Sequence, residues 1–234
     1  MKAVGGLAYL TAEEMAAADR QTIDSGLGVE TLMENAGVKT AELARSSLGG
    51  SVAGRKVAVM VGRGNNGGDG LVAARHLHNW GAEVMVMMAE SRESLRDVPA
   101  RQLAIVEKMG VRVVVPGQEQ RAELLVDALL GYGAKGDPRE PLASLIRKAN
   151  ASKVPILAVD LPSGLDATTG KPGDPCVMAK WTLTLGFPKA GFLTRQAEEF
   201  IGELYLADIS LSRAIYEQYS CMGIFSSGPL VRLW

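Results

Sequence analysis

The stretch Lys56-Val-Ala-Val-Met-Val61, followed directly by Gly62-Arg-Gly-Asn-Asn-Gly-Gly-Asp-Gly70, decides the fold of this chain. The first six residues are almost wholly apolar, and a short unbroken apolar run is typical of a strand buried on both faces of a sheet. The glycine-rich segment predicts a tight loop leading into a helix that runs to about Trp80. Strand, glycine loop and helix in this order indicate one unit of an α/β fold.

Apolar runs and amphipathic stretches alternate along the rest of the chain. Thr11, with Glu14 three residues later, predicts a capping box that begins a helix running to about Ser25. A second helix is expected over residues 29–47. Further strands are expected at 83–88, 111–115, 124–130, 154–160, 181–186 and 203–207. One helix is expected to end near Met109, and two others are expected near Gln118–Glu123 and near Pro141–Ala149.

This alternation predicts the fold class and the domain organisation. Strands that alternate with helices imply βαβ units with right-handed crossovers. We therefore expect an α/β protein with a three-layer α/β/α, Rossmann-like fold and a mostly parallel central sheet. Because no linker or repeat divides the chain, residues 1–234 are expected to form a single domain. Its core would span about 8–210, and the tail at 221–234 would be loosely held.

Composition and charge exclude several classes of function. The chain has 25 basic and 26 acidic residues without a basic stripe, so neither nucleic acid nor a membrane surface is an expected partner. Cys176 and Cys221 lie too far apart in sequence for a metal-spaced pair, and His76 and His78 form no zinc motif. No signal peptide or membrane-length apolar run is recognised, so a cytoplasmic protein is expected.

The glycine-rich loop allows more than one interpretation. Residues 62–67 match the dinucleotide-binding pattern G-x-G-x-x-G, and Glu90 lies about twenty residues further on. Glycines let backbone amides approach an anion closely, and the helix N-terminus favours negative charge. Asn65, Asn66 and Asp69 add polar groups that a plain pyrophosphate loop does not need. Alternatively, Asp69 caps the helix and the two asparagines are only turn residues.

Two more carboxylates lie in or after apolar strands. Asp127 interrupts the run 124–130, and Asp160 ends the run 156–160 directly before Leu161-Pro162-Ser163. A carboxylate in such a place is costly to bury unless it meets a cation or hydrogen-bond donors. The alternatives are that Asp127 caps the amides of a neighbouring loop, and that Asp160 begins a turn before proline.

These residues are expected to meet at one site. Because the carboxyl ends of parallel strands lie along the same edge of a sheet, the loops after them converge on one crevice. Amide, carboxylate and hydroxyl oxygens together suit a hard cation better than zinc or copper. The side chains expected at this crevice are Asn66, Asp127, Lys135, Asp160 and Ser163.

Three motifs together resemble the NAD(P)H-hydrate epimerase family, also called the YjeF N-terminal domain family. The resemblance covers about residues 8–210. It implies an enzyme that often dimerises and interconverts the R and S epimers of nicotinamide nucleotides hydrated at ring carbon 6, NADHX and NADPHX. A separate ADP- or ATP-dependent dehydratase would consume one epimer. The motifs are Gly62–Gly70, Val126–Gly133 and Val159–Gly164, with flanking motifs at Met33–Gly37 and Pro188–Gly191.

The resemblance also implies roles for individual residues. One K+ per subunit would be held by Asn66, Asp127 and Ser163. Tyr132 departs from the family pattern, which often has a small hydroxyl residue there. The implied substrate-binding residues are Asn65, Asn66, Gly67, Gly68, Asp69, Gly131, Tyr132, Gly133, Ala134, Lys135, Gly136, Asp137 and Asp160.

The reaction implied by the resemblance needs a base and an acid at a hemiaminal carbon. Asp160 is the expected general base, because it ends a buried strand at the crevice. Lys135 is a candidate proton donor or phosphate contact, or else a solvated loop lysine. Two competing hypotheses stay open: a nicotinamide-dependent dehydrogenase, and a non-catalytic nucleotide- or partner-binding module on the same fold.

Overall fold

Eight strands form one sheet in the computed structural model, which describes residues 6–115, 121–219, 221 and 223–234. All neighbouring strands pair in parallel except the last pair, which is antiparallel. The strands are β1 (Lys56–Val61), β2 (Glu83–Met88), β3 (Arg112–Val114), β4 (Leu124–Ala128), β5 (Ile156–Val159), β6 (Trp181–Leu185), β7 (Glu203–Ala207) and β8 (Leu230–Arg232).

Helices cover both faces of this sheet, which gives the three-layer α/β/α arrangement. The first helix begins at a complete capping box, in which Thr11 and Glu14 bind each other's backbone amides. The helices are α1 (Ala12–Asp24), α2 (Val29–Ser47), α3 (Asn65–Asn79), α4 (Asp97–Lys108), α5 (Leu142–Ala151), α6 (Glu198–Ile201) and α7 (Arg213–Gln218).

The strand order β3-β2-β1-β4-β5-β6-β7-β8 contains one reversal of direction, between β1 and β4. From β1 the chain first adds strands toward one edge and then returns to add strands toward the other. In open α/β sheets, the loops on either side of such a reversal diverge and leave a crevice at the carboxyl ends of the strands. The topology therefore places a ligand crevice next to the ends of β1, β4 and β5.

The core consists of two apolar layers, one on each face of the sheet. Alternate residues of β1 enter different layers: Val57 and Val59 pack in one, and Ala58 and Met60 in the other. Side chains alternate between the faces of a strand, so both faces of β1 are covered. This burial explains why the strand is an unbroken apolar run in sequence.

The helices α2 and α3 pack closely because a glycine lies between them. A methyl group at Gly37 would lie 2.3 Å from a side-chain carbon of Val72 and 2.9 Å from the carbonyl oxygen of Asp69. Both distances are too short for any Cβ atom, so the two helices would have to separate.

We expect Gly37→Ala to lower the free energy of unfolding by about 1–3 kcal/mol, because an added methyl group overpacks this contact. Urea denaturation measures the change. Gly133→Ala is the matched control, because no atom lies within 4 Å of its added methyl group. Equal stability of the two variants would contradict the close approach.

The strands and helices predicted from periodicity are confirmed within a few residues, but the expectation for the tail was wrong. Residues 230–232 form β8, which pairs with β7, and the amide of Leu204 donates to the carbonyl of Trp234. The tail was misjudged because its few apolar residues acquire partners only in the folded sheet. The helix predicted near Gln118–Glu123 lies partly outside the described residues, and 121–123 are not helical.

Among the helices of the described residues, none combines the length and the apolar character that crossing a membrane would require.

Candidate functional site

A crevice of about 760 Å³ opens at the carboxyl edge of the sheet, beside the reversal between β1 and β4. Its volume lies within the range of small-molecule sites. The loops after β1, β4 and β5 form its walls, together with α1 and α2. Its polar lining includes Asp19, Arg63, Asn65, Asn66, Asp69, Glu90, Arg96, Tyr132, Lys135, Asp137, Arg139, Glu140 and Asp160.

The glycine-rich loop positions the N-terminus of α3 at the crevice. A methyl group at Gly67 would lie 1.9 Å from the carbonyl oxygen of Gly62, so only glycine allows the helix to begin this close to the strand. The N-cap residue is Gly64, which has no side chain to satisfy the first amides of the helix. These free amides and the helix dipole favour an anion at this end.

Two alternatives for this loop prove wrong. Asp69 does not cap α3, because the helix begins at Asn65 and Asp69 lies more than one turn inside it. Asn65 and Asn66 are not turn residues with positive φ, because they form the first turn of the helix. Both residues line the crevice, and the side-chain nitrogen of Asn66 is bound within the protein.

Three loops meet at Leu130. The Asn66 side chain donates to the Leu130 carbonyl (3.0 Å), and the Leu130 amide donates to the Ser163 hydroxyl (2.9 Å). The Ser163 hydroxyl in turn donates to Asp127 Oδ1 (2.7 Å). Asn66, Asp127 and Ser163 are thus brought together, as predicted. Asp127 and Ser163 lie beneath the crevice and do not line it.

Asp127 is fully buried and accepts hydrogen bonds on both oxygens. The amide of Ser163 donates to Oδ2 (2.8 Å), and the amide of Leu129 donates to Oδ1 (3.2 Å). Burial raises its pKa to about 6, although the bonds from Ser163 and Leu129 oppose that rise. This geometry is the loop-capping role that the sequence left open. It does not exclude a cation beside the same oxygens.

Asn66 retains one unsatisfied oxygen. Its Oδ1 atom is buried and accepts no hydrogen bond from a described residue, while its nitrogen is bound to Leu130. A buried carbonyl oxygen without a partner costs free energy unless a cation or donor meets it. The donor set is therefore compatible with a hard cation. The described residues contain no His, Cys, Asp or Glu cluster of the kind that holds a metal ion.

Asp160 lies directly after β5 in a strained backbone conformation. Its φ of 70° is in the left-handed region, which non-glycine residues rarely adopt, and such strain is found mostly at functional sites. Its Oδ2 atom accepts from the Tyr132 amide (3.1 Å), and its Oδ1 atom forms an ion pair with Lys189. The carboxylate is 96% buried and lines the crevice.

Lys189 is the functional residue that our interpretation of the sequence missed. Its side chain is completely buried, and its ammonium donates to Thr184 Oγ1 (3.0 Å) and to the carbonyls of Phe187 (3.0 Å) and Leu185 (3.3 Å). Lysine is almost never fully buried unless it is paired. The flanking motif Pro188–Gly191 was the signal that could have identified it.

Two more carboxylates line the crevice near Asp160. Asp69 is buried, and its pKa lies well above the usual range because of desolvation and then the charges of Asp160 and Asp19. Burial also raises the pKa of Asp19, although the Tyr132 hydroxyl donates to it (2.6 Å) and lowers that pKa. The inner part of the crevice is therefore acidic, with Lys189 behind it.

Cationic side chains line the outer part of the crevice. They come from the loop after β1, the segment before α4, and the loop after β4. Within the described part of the chain, none of them forms an ion pair. These side chains belong to Arg63, Arg96, Lys135 and Arg139. Lys135 is exposed, as a solvated loop lysine would be, yet it faces the same space.

The other predicted substrate-binding residues divide into two groups. All residues of the segment 131–137 line the crevice. Gly67 and Gly68 do not, because they are buried against the loop of Gly62 and the side chain of Met33. These two glycines let the helix pack closely. They have no side chain with which to contact a substrate.

Comparisons with known proteins extend over most of the chain. Residues 29–191 match a family model described as YjeF-related protein N-terminus. An NAD(P)H-hydrate epimerase of Dehalogenimonas lykanthroporepellens is 39% identical over 96% of this chain and 92% of its own length. A bifunctional NAD(P)H-hydrate repair enzyme of Moorella thermoacetica is 38% identical over 88% of this chain, which spans 41% of that longer protein.

A solved structure shows the same fold. The crystal structure of the yeast protein ynu0 superposes with a TM-score of 0.84, covering 97% of this chain and all of the yeast chain. The two sequences are 24% identical. The Rossmann-like α/β arrangement predicted from the sequence is confirmed by this likeness.

Proposed function

The chain belongs to the family of YjeF-related protein N-termini, and from that premise we propose that it is an NAD(P)H-hydrate epimerase. It would interconvert the R and S forms of hydrated NADH and NADPH, and so serve the repair of damaged nicotinamide nucleotides. The observation that carries this proposal is a single crevice whose inner end is acidic and whose outer end is cationic. Such a crevice fits a ligand with an uncharged reactive ring and an anionic diphosphate.

The reactive carbon of the substrate carries a hydroxyl group beside the ring nitrogen. Inversion at this hemiaminal carbon requires reversible breaking of one of its bonds, with a proton removed and returned. Asp160 would act as the base, because its carboxylate lies in the crevice at the end of β5. Lys189 and the Tyr132 amide fix that carboxylate in place, and rigid placement of the reacting group favours proton transfer.

The substrate phosphates would bind at the cationic end. The free amides at the start of α3 and the guanidinium groups of Arg63 and Arg96 supply donors for phosphate oxygens. Lys135 and Arg139 lie on the opposite loop and would contribute charge from that side. In this arrangement Lys135 binds phosphate, which is the second of the roles considered for it.

A bound K+, one per subunit, would be held by Asn66, Asp127 and Ser163. The support is the unpaired, buried Oδ1 atom of Asn66 and the fully buried carboxylate of Asp127. When bound, the cation would neutralise charge and hold the loops after β1, β4 and β5 together. The protein residues would carry out the proton transfers themselves.

Replacing K+ by tetramethylammonium should lower the thermal midpoint of the protein by a few degrees, because a cation bound only to the folded state stabilises it. Differential scanning fluorimetry at constant ionic strength measures the shift. In Asn66→Ala the midpoint should no longer respond to K+. A wild-type midpoint that is the same in both salts would contradict the cation site.

The activity is tested by coupling. Purified protein is mixed with the R form of hydrated NADH and a dehydratase that accepts only the S form. The absorbance of NADH should return faster with the protein than without it. Equal rates in the two mixtures would end the proposal. Running the assay with hydrated NADPH as well measures the preference between the two nucleotides.

The partners and the location belong to the same proposal. A dehydratase would act after this enzyme, and the Moorella relative is a bifunctional NAD(P)H-hydrate repair enzyme. For this chain we propose that an ADP- or ATP-dependent dehydratase catalyses the next step. A homodimer and a cytoplasmic location also remain proposals, and size-exclusion chromatography with light scattering tests the first.

A further inference from the structure

The helix α1 brings a second carboxylate to the crevice. Asp19 lies on this helix, outside the matched family segment 29–191 and away from the ends of the parallel strands. It nevertheless lines the same crevice as Asp160. The two carboxylates therefore enter one space from different elements, Asp160 from the sheet and Asp19 from a helix.

Tyr132 connects these two carboxylates. Its backbone amide donates to Asp160 Oδ2 (3.1 Å), and its hydroxyl donates to Asp19 Oδ2 (2.6 Å). One residue therefore contacts both carboxylates, and all three side chains line the same crevice. The Oδ1 atom of Asp19 makes no hydrogen bond to any described residue, and it is the atom left for a substrate.

We propose that Asp19 is the second proton-transfer group of the epimerase, and that Tyr132 is the residue that positions it. The inference rests on the proposed function. An epimerase that inverts one carbon must handle the hydroxyl proton on two sides of the ring. Two carboxylates that reach one crevice from different elements meet that need, whereas one carboxylate serves one side.

The steps balance without a further reactant. Asp160 takes the hydroxyl proton of one epimer, the oxygen electrons form a C=O bond, and the C6–N1 electron pair moves to the ring nitrogen. Rotation about C5–C6 presents the other face of the carbonyl. The nitrogen pair re-forms the C–N bond, and the oxygen takes a proton from protonated Asp19. The reverse reaction exchanges the roles of the two carboxyl groups. Between turnovers in one direction, solvent water takes the proton from Asp160 and returns one to Asp19.

The charges around Asp19 suit a group that holds a proton at one stage and loses it at another. Burial and then the charge of Asp160 raise its pKa, while Tyr132, Lys189 and Arg20 lower it. The charge of Asp19 in turn raises the pKa of Asp69, which lines the same crevice. Neighbouring carboxylates seldom ionise together, so one of a pair tends to keep its proton.

Asp19→Asn keeps the acceptor for Tyr132 and removes the titrating group. It should lower kcat about 100-fold in both directions, at the lower end for loss of a general acid or base. The dissociation constant for NADH, used as the binding probe, should change less than threefold. Asp24→Asn, an exposed residue on the same helix, is the control and should keep wild-type kcat.

Tyr132→Phe tests the role of Asp19 through the kcat–pH profile, which would not shift if Asp19 had only a structural role. Loss of the phenol removes a hydrogen bond that lowers the pKa of Asp19, so that pKa rises further. Asp19 then keeps its proton to higher pH, and the alkaline limb of the kcat–pH profile should move to higher pH. Tyr205→Phe, whose hydroxyl binds Glu203 on β7, is the control and should leave the profile in place.

Each outcome decides a different claim. Wild-type protein with no activity in the coupled assay would overturn the proposed function and this inference together. Active wild-type protein with Asp19→Asn within twofold of its kcat would overturn this inference alone. If Asp19→Asn does not fold, the Tyr132→Phe profile decides, and an unmoved alkaline limb then counts against Asp19.

Discussion

Asp160→Asn should lower kcat for epimerisation toward the upper end of about 10²–10⁴-fold, the range for loss of a positioned general base. Asparagine has nearly the same size and shape as aspartate. It can still accept the hydrogen bond from the Tyr132 amide, which the carboxylate receives at 3.1 Å. It loses the ability to take a proton, and it also loses the charge that pairs with Lys189, so kcat is compared only after circular dichroism shows that the variant is folded. The effect should therefore fall on kcat and leave substrate binding largely intact.

The coupled assay measures kcat, and fluorescence quenching by NADH measures binding. Asp166→Asn is a suitable control, because this half-buried aspartate does not line the crevice and accepts hydrogen bonds from the amides and hydroxyl of its own turn at Thr168 and Thr169. A variant at Asp160 with normal kcat and normal binding would show that the base is another group. Lost binding with normal kcat at saturation would show that Asp160 holds substrate only.

Lys189→Met should destabilise the protein by about 3–5 kcal/mol, the cost of leaving a buried charge without its partner. Methionine fills much of the volume of the lysine stem, so the main change is the loss of the ammonium group. Asp160 is then a buried carboxylate with one amide donor. Thr184 Oγ1 and the carbonyls of Leu185 and Phe187 also lose a donor.

A double variant separates the charge from the packing. Lys189→Met combined with Asp160→Asn removes both charges, so it should regain a large part of the stability lost in the single variant. Chemical denaturation of the single and double variants gives this coupling free energy. Lys171→Met, at an exposed surface lysine, should change stability by less than about 0.5 kcal/mol. Additive losses in the double variant would contradict the buried ion pair.

The elements of the fold that depend on local sequence patterns could be predicted from the sequence. The strand 56–61 could be predicted because both of its faces are buried, so its residues are uniformly apolar. The capping box of Thr11 and Glu14 fixed the start of α1 for a similar reason, because both partners lie within one turn. Interactions that are local in sequence leave a local signature.

The parts that were missed depend on residues far apart in the chain. Lys189 contacts Asp160 from a different strand end, and Asp19 meets Tyr132 across 113 residues of sequence. The strand β8 has only three residues and exists because β7 offers a free edge. No periodicity or motif in these segments records such partners, so only the folded chain reveals them.

The separation of the crevice into a buried floor and an exposed wall has a consequence for how this protein can change. Asp160 and Lys189 are anchored by strand ends, whereas residues 133, 135–137 and 139–140 of the facing loop are exposed. Substitutions in that loop disturb few packed atoms. Randomising this loop in the laboratory should therefore change the substrate preference, while Asp160 and Lys189 keep their positions.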